Sequence, residues 1–251
     1  MNDMRICLII FAKNEQHSLE KTVRDLQEAC SPQSVAGMVV FLAPNATEAC
    51  SATAQALAQE LFGIPVQVVV QQPSGVGLSM QTLFSNANFT HVMILSADYF
   101  VRPTAVAQLI AHAAQQPDVI YKFSRALPGG SFSSEYSRTK ILLYRVFVFC
   151  LRILYHCNIT DPAFISVLMP CPYMFCVRPR ERSVHAGLEW LLIMLRCRVP
   201  VVELAAQNLP RTEQKGSSTV IGRLNYIRIA LRVRFAPKKK ICRERVCHAK
   251  K

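Results

Sequence analysis

The run His91-Val-Met-Ile-Leu-Ser-Ala-Asp98 carries an unbroken apolar stretch into an acid, and Arg102-Pro103 follows shortly after. Aliphatic residues without polar alternation fit a strand buried on both faces. Asp98 then stands at a strand's carboxyl end, the edge where open α/β sheets take their ligands. An acid in that place serves either as a cap or loop residue or as a metal ligand. Gly75 and Gly77, inside the Gln72–Gly77 turn, have a similar double meaning: an ordinary left-handed turn, or a point where the backbone must come close to a ligand. Asn14-Glu15 follows another apolar run, Ile6 to Phe11, and Asn14 also signals a helix start. Arg125, Arg138 and Arg211 are either surface arginines or forks for phosphate oxygens. Cys242, Cys247 and His248 form a sparse metal-type cluster, and with no Cys-x-x-Cys pair the plainer reading is unconnected thiols.

These residues need a frame, and the hydrophobic pattern supplies one. Ile6–Phe11 predicts a buried strand, and Gln16–Cys30 a helix with Leu19, Val23 and Leu26 on one face, ending at Ser31-Pro32. Strands are expected at Met38–Leu42, Pro65–Val70, the Asp98 run, Val119–Phe123 and Val199–Leu204. Helices are expected at Ala46–Phe62, Leu78–Asn86, Pro103–Gln116, Thr139–Cys157 and Val184–Leu195. Strands alternating with helices of this length indicate βαβ units and a mostly parallel sheet flanked by helices. The Thr139–Cys157 segment is strongly apolar but broken by Arg145 and Arg152. It suits a helix packed on the sheet or lying on a membrane surface better than one crossing a bilayer.

A chain of 251 residues with 51% apolar content can bury a large core, which excludes a disordered protein. The Ile6–Ala12 run is too short to span a membrane and has no cleavage pattern beside it, so the expectation is a folded start. Ten cysteines without a secretory signal suggest reduced thiols in a cytosolic setting. Of the net charge of +13, residues 223–251 carry +10 and the rest of the chain +3. We therefore expect a body, 1–222, and a basic C-terminal tail, 223–251, whose segment Leu224–Val233 reads as basic and amphipathic. Such a tail is either a solvated end or an attachment to anionic lipid headgroups at the inner membrane face. Tyr226 and Phe235 are too sparse there for a base-stacking platform, which weighs against nucleic acid.

Taken in order, the motifs resemble the family-two inverting glycosyltransferases of GT-A fold, most closely the polyprenyl (dolichyl) phosphate sugar transferases. The resemblance runs from about Arg5 to Arg211. Phe11-Ala-Lys-Asn-Glu15 is similar to the family's Pro-Ala-Tyr-Asn-Glu, Gly75-Val-Gly77 to its Gly-Leu-Gly, and Ser96-Ala-Asp98 with Arg102-Pro103 to its Asp-Ala-Asp and His-Pro. Ser124-Arg125 with Gly129-Gly130, Thr160-Asp161-Pro162, and Arg211 with Gly216-Ser217 resemble its later motifs. The resemblance implies a UDP- or GDP-sugar donor held by Asn14, Glu15, Gly75, Gly77 and Asp98. Asp98 would hold Mg2+ or Mn2+ against the diphosphate and so be the catalytic residue of the site. Acceptor or donor phosphate would meet Ser124, Arg125, Arg138, Asp161, Arg211 and Ser217.

The departures are as informative. Ser96 stands where the family has its first metal-holding Asp, and Phe100 where a further ligand is common. Ala43-Pro44-Asn45-Ala46 replaces Asp-Asp-Gly-Ser, Phe11 and Lys13 replace Pro and Tyr, Phe164-Ile165-Ser166-Val167 replaces Ser-Gly-Phe-Arg, and Thr219 replaces Lys. Two functions follow. One is a glycosyltransferase, cytoplasmic and peripheral at the membrane face, acting on a lipid phosphate or another acceptor. The other is a catalytically silent relative that keeps the fold as a binding or partner protein.

Overall fold

Ile6, Cys7, Leu8, Ile9 and Ile10 are five successive residues with no exposed surface, and they begin strand β1 (Ile6–Ala12). Burial on both faces requires a layer on each side. Ile6, Leu8 and Ile10 pack with Leu19, Val23, Leu57 and Leu109, whereas Cys7 and Ile9 pack with Met80, Phe84, Trp190 and Leu192. The structure is a computed structural model and describes residues 4–60, 63–85, 88–98, 101–134, 136–164, 166–178, 180–183, 185–210 and 220–242.

The elements run β1, α1 (Gln16–Ala29), β2 (Val35–Leu42), α2 (Glu48–Gln59), β3 (Val66–Val70), α3 (Val76–Ser85), β4 (His91–Ser96), α4 (Pro103–Gln115) and β5 (Ile120–Ser124). They continue through α5 (Arg138–Tyr155), β6 (Val167–Pro170), α6 (Cys171–Cys176), α7 (Ala186–Arg196), β7 (Val201–Ala205), α8 (Val220–Phe235) and α9 (Lys238–Ile241). The seven strands form one sheet in the order β3-β2-β1-β4-β6-β5-β7. All pairings are parallel except those of β6, which runs against both β4 and β5. The sheet is thus mostly parallel and flanked by helices, as the alternation of elements predicts.

Differences from the sequence reading have local causes. The helix expected from Ala46 starts at Glu48, because Thr47 is its cap and its Oγ1 accepts the amide of Cys50 at 3.2 Å. Strand β2 begins at Val35, three residues early, and β6 and α6 were not anticipated. Residues 224–242 of the basic C-terminal segment are packed on the body. Ile229 and Val233 have no exposed surface and share a core with Trp190, and Cys242 bridges to Val177. No helix among the described residues is long and apolar enough to cross a membrane.

Candidate active site

Parallel strands deliver their following loops to one rim, and hydrogen bonds tie these loops together. Beyond β1 and β2, Ala43 N donates to Ala12 O (3.0 Å) and Thr47 N to Lys13 O (2.9 Å). Gln71 N beyond β3 donates to Leu42 O (2.9 Å), and Ala97 N beyond β4 to Phe11 O (2.9 Å). The segments carrying Asn14, Glu15, Gly75 and Asp98 therefore lie along one edge of the β3-β2-β1-β4 half of the sheet, with the Gly75 segment at its β3 end and Asp98 at its β4 end. Thr22 of α1 donates to Ala97 O at 3.1 Å and fixes the approach to Asp98. Asp98 itself is 7% exposed, and its amide meets Ser96 Oγ at 3.5 Å.

The helix-start role expected of Asn14 falls instead to Glu15, which makes no side-chain cap. The Glu15 carboxylate turns back to accept the amides of Lys13 (2.6 Å) and Asn14 (2.8 Å), so it shapes the loop after β1. Gly75 is at φ +100°, a region costly to any residue with a Cβ, and a Cβ there would lie 2.7 Å from Arg182 Cα. Arg182 O accepts Val76 N at 3.2 Å. Gly77 does not share the turn: it is the buried second residue of α3.

The residues expected to meet phosphate are arranged differently. Arg125 closes on Asp161 through Nε–Oδ2 (2.7 Å) and Nη2–Oδ1 (2.9 Å), and its amide adds a third bond at 3.0 Å. The guanidinium carbon sits 4.7 to 5.6 Å from the ring centres of Phe132, Tyr136, Tyr144 and Phe164, an aromatic enclosure that favours a cation. The side chains are 7% and 0% exposed, so the fork expected for a ligand is spent on a carboxylate of the chain itself. Burial pushes the Asp161 carboxyl up, but Arg125, Lys122 and Tyr144 outweigh it and hold it below the ordinary value. Ser124 is fully buried, with its Oγ 2.6 Å from Thr160 Oγ1. Arg138 is exposed in the first turn of α5. Arg211, Ser217, Phe100, Thr219, Cys247 and His248 lie outside the described residues.

Sequence reasoning missed the foundation of this cluster. Lys122 has no exposed surface, and its ammonium reaches Phe123 O (2.8 Å), Asp161 O and Glu203 Oε1 (3.4 Å). Burial lowers its pKa, a shift that Asp161 and Glu203 oppose. Glu203 also accepts Thr160 N (2.6 Å), Thr160 Oγ1 (2.7 Å) and Asp161 N (3.1 Å). It also missed the loop behind Gly75. Glu189, 1% exposed, accepts the amides of Arg180 (2.9 Å) and Glu181 (2.7 Å) and pairs with Arg232 at 2.9 Å, placing Arg182 against the glycine turn.

A divalent cation at this rim can be tested against the donors present. Among the described residues no group of three His, Cys, Asp or Glu gathers. Asp98 offers one hard oxygen ligand, which suits Mg2+ or Mn2+ only where diphosphate oxygens and water complete the shell.

A seven-stranded, mostly parallel sheet with helices on both faces and strand-end loops gathered on one rim defines a GT-A-type α/β protein. The chain belongs to glycosyl transferase family 2, whose sequence model matches residues 7–175. Solved structures agree in fold. Glucosyl-3-phosphoglycerate synthase from Mycobacterium tuberculosis with Mn2+, UDP and phosphoglyceric acid is 15% identical, with a TM-score of 0.65 over 93% of this chain and 80% of that one. The same enzyme with Mg2+ and UDP gives 0.66 at 15% identity over 93% and 80%. A structure described as a mycobacterial protein gives 0.65 at 15% identity over 94% and 76%. No curated protein sequence matches.

Proposed function

We propose that this chain transfers a sugar from a UDP- or GDP-sugar, with inversion, to a phosphate-bearing acceptor. The observation that supports this reading is that the loops after β1, β3 and β4, which carry Asn14-Glu15, the Gly75 turn and Asp98, follow parallel strands and so lie along one rim of the sheet in a family-2 chain. Asp98 would hold Mg2+ or Mn2+ jointly with the donor, and such an ion neutralises charge on a departing nucleoside diphosphate. The M. tuberculosis enzyme, solved with UDP and either Mn2+ or Mg2+, supports that choice of ligands. Gly75 lets the Arg182 loop pack directly on the turn, and exposed Arg182 there supplies positive charge for the diphosphate. A phosphate acceptor is already ionised near neutral pH, so the site needs no base to activate it.

For the acceptor we favour a lipid phosphate at the cytoplasmic membrane face. Helix α5 exposes Leu142, Val146, Phe149 and Ile153 in one stripe, each more than half exposed. Arg138, Arg145 and Arg152 recur at seven-residue spacing beside it, a pairing of apolar and basic side chains suited to an anionic lipid surface. Arg228, Lys238, Lys239 and Lys240 of the C-terminal segment add further exposed positive charge. The relatives' phosphoglyceric acid is a soluble alternative with the same phosphate chemistry.

A second reading, a silent family member, is favoured by Ser96 in the place of a metal-binding acid, by the enclosure of Asp98, and by the closure of Arg125 on Asp161. Calorimetric titration with UDP, GDP and their sugars, with and without Mn2+, separates the two. The enzyme reading expects metal-dependent binding that Asp98→Ala removes; no binding at millimolar nucleotide leaves only the silent protein.

A further inference from the structure

Away from the rim, a cavity of about 750 Å3 opens beside the edge strand β7, where α5, α7 and α8 end and α9 begins. Its lining includes His156, Arg196, Arg198, Arg234 and Lys238, against a single acid, Glu203. That acid is already committed to Thr160, Asp161 and Lys122, so among the described lining residues no acid is left over for the surrounding cations. Arg196 is partly used: its Nη1 donates to Val233 O and Ala236 O, both at 2.5 Å, and closes the end of α8. Arg234 Nε is buried with no acceptor among the described residues.

The backbone points the same way. Among the described residues only two non-glycine residues have positive φ, His156 (+51°) and Arg198 (+60°), and both line this cavity. Each is the left-handed residue of a helix-ending turn. Cys157 N returns to Arg152 O (3.2 Å) after α5, and Val199 N to Met194 O (3.0 Å) after α7. Glycine is the residue that makes this turn without strain. Twice, around one cavity, the chain accepts the strain and places a basic-type side chain there instead, as is found where a side chain is needed for a ligand.

We propose that this cavity is a second anion site, which binds phosphate groups through Arg198, Arg234 and Lys238, with His156 at its edge. Its volume falls in the range of small-molecule pockets. Apolar walls from Leu127, Ile159 and Val199 fit a phosphate ester rather than a bare ion. The site is separate from the proposed sugar-transfer rim. Helix α7 begins at the loop that packs on Gly75 and ends at the cavity, and its eleven residues span roughly 16 Å. The phosphate could come from a soluble ester or from a lipid headgroup that reaches the open cavity.

The test uses the full chain in EDTA, so that metal-dependent binding at the rim does not contribute, and compares the wild type with Arg198→Gly and Arg234→Gln. Calorimetry with inorganic pyrophosphate measures the soluble arm, and co-sedimentation with phosphatidylcholine vesicles containing phosphatidic acid measures the lipid arm. We expect binding in at least one arm that weakens on the order of tenfold in each variant. Arg198→Gly should melt at or above the wild-type temperature in plain buffer, since glycine relaxes the turn; a purely structural arginine would lower it. Binding to pyrophosphate assigns a soluble ligand, and binding to vesicles alone assigns a headgroup. No binding in either arm, or variants that bind as tightly as the wild type, overturns the proposal.

Discussion

The guanidinium of Arg125 and the carboxylate of Asp161 meet through two side-chain hydrogen bonds of 2.7 and 2.9 Å, with the Arg125 amide closing a third at 3.0 Å. A pair this buried stabilises modestly while intact and costs heavily when one partner is removed, because the survivor is left charged and dry. Asp161→Asn should therefore lower unfolding free energy by about 3–5 kcal/mol, read from urea denaturation. A loss no larger than that of an exposed salt bridge would mean the pair is hydrated in solution.

The same carboxylate sets an acid limit on the fold. Its folded pKa lies below the ordinary value of 3.8, so in the window between the two the unfolded chain binds more protons. The stabilisation is complete above that ordinary value and is lost as pH falls through the folded one. Urea midpoints of the wild type should drop on going from about pH 5 to about pH 3. Asp161→Asn should show a shallower drop.

At the glycine turn, the conformation and the neighbour both oppose a side chain. Gly75→Ala places a Cβ on a φ of +100° and 2.7 Å from the Arg182 backbone, so the Arg182 loop must move. The expected cost is about 1–3 kcal/mol. Nucleotide affinity should fall with it, measured in the titration that tests Asp98. Full nucleotide affinity in this variant would remove the turn from the donor site.

Thiol chemistry gives an independent check on the core. Burial pushes Cys7 and Cys171 up to about 12, whereas Cys150 is exposed on α5. Thiolate is the reactive form, so Ellman's reagent at neutral pH should label Cys150 in the native protein and reach Cys7 and Cys171 only after denaturation. Peptide mapping of the labelled sites decides it. Fast native labelling of Cys7 would contradict a strand buried on both faces.

Much of the β1–β4 half was legible because its signals are local. The runs in β1 and β4 are unbroken, the helices between them have clear apolar faces, and Asp98 and Gly75 stand at strand and turn ends where the pattern puts them. The other half depends on partners far apart in sequence. Lys122 is one charge inside Ile120–Ser124, and its acid, Glu203, lies 81 residues on. Arg125 and Asp161 are separated by 36 residues, so both read as free to meet a ligand until the fold pairs them. Arg182 sits in a basic loop that nothing nearby in sequence connects to Gly75. Strand β6 has only four residues and ends in a proline, too little for periodicity to register.

That short reversed strand has a consequence for how the protein could change. Running against its neighbours, β6 starts where β4 ends, with Val167 opposite Ile94, so the stretch leading into it hangs over the same opening as the loops from the first four strands. Had β6 been parallel, that stretch would have entered from the far side of the sheet. One reversal thus gives the opening two walls from separate parts of the chain. Because Thr160 and Asp161 are tied into the Glu203–Arg125 network, only a change that spares them, as at half-buried Ala163, can redraw that wall while the loops after β1 to β4 keep their shape.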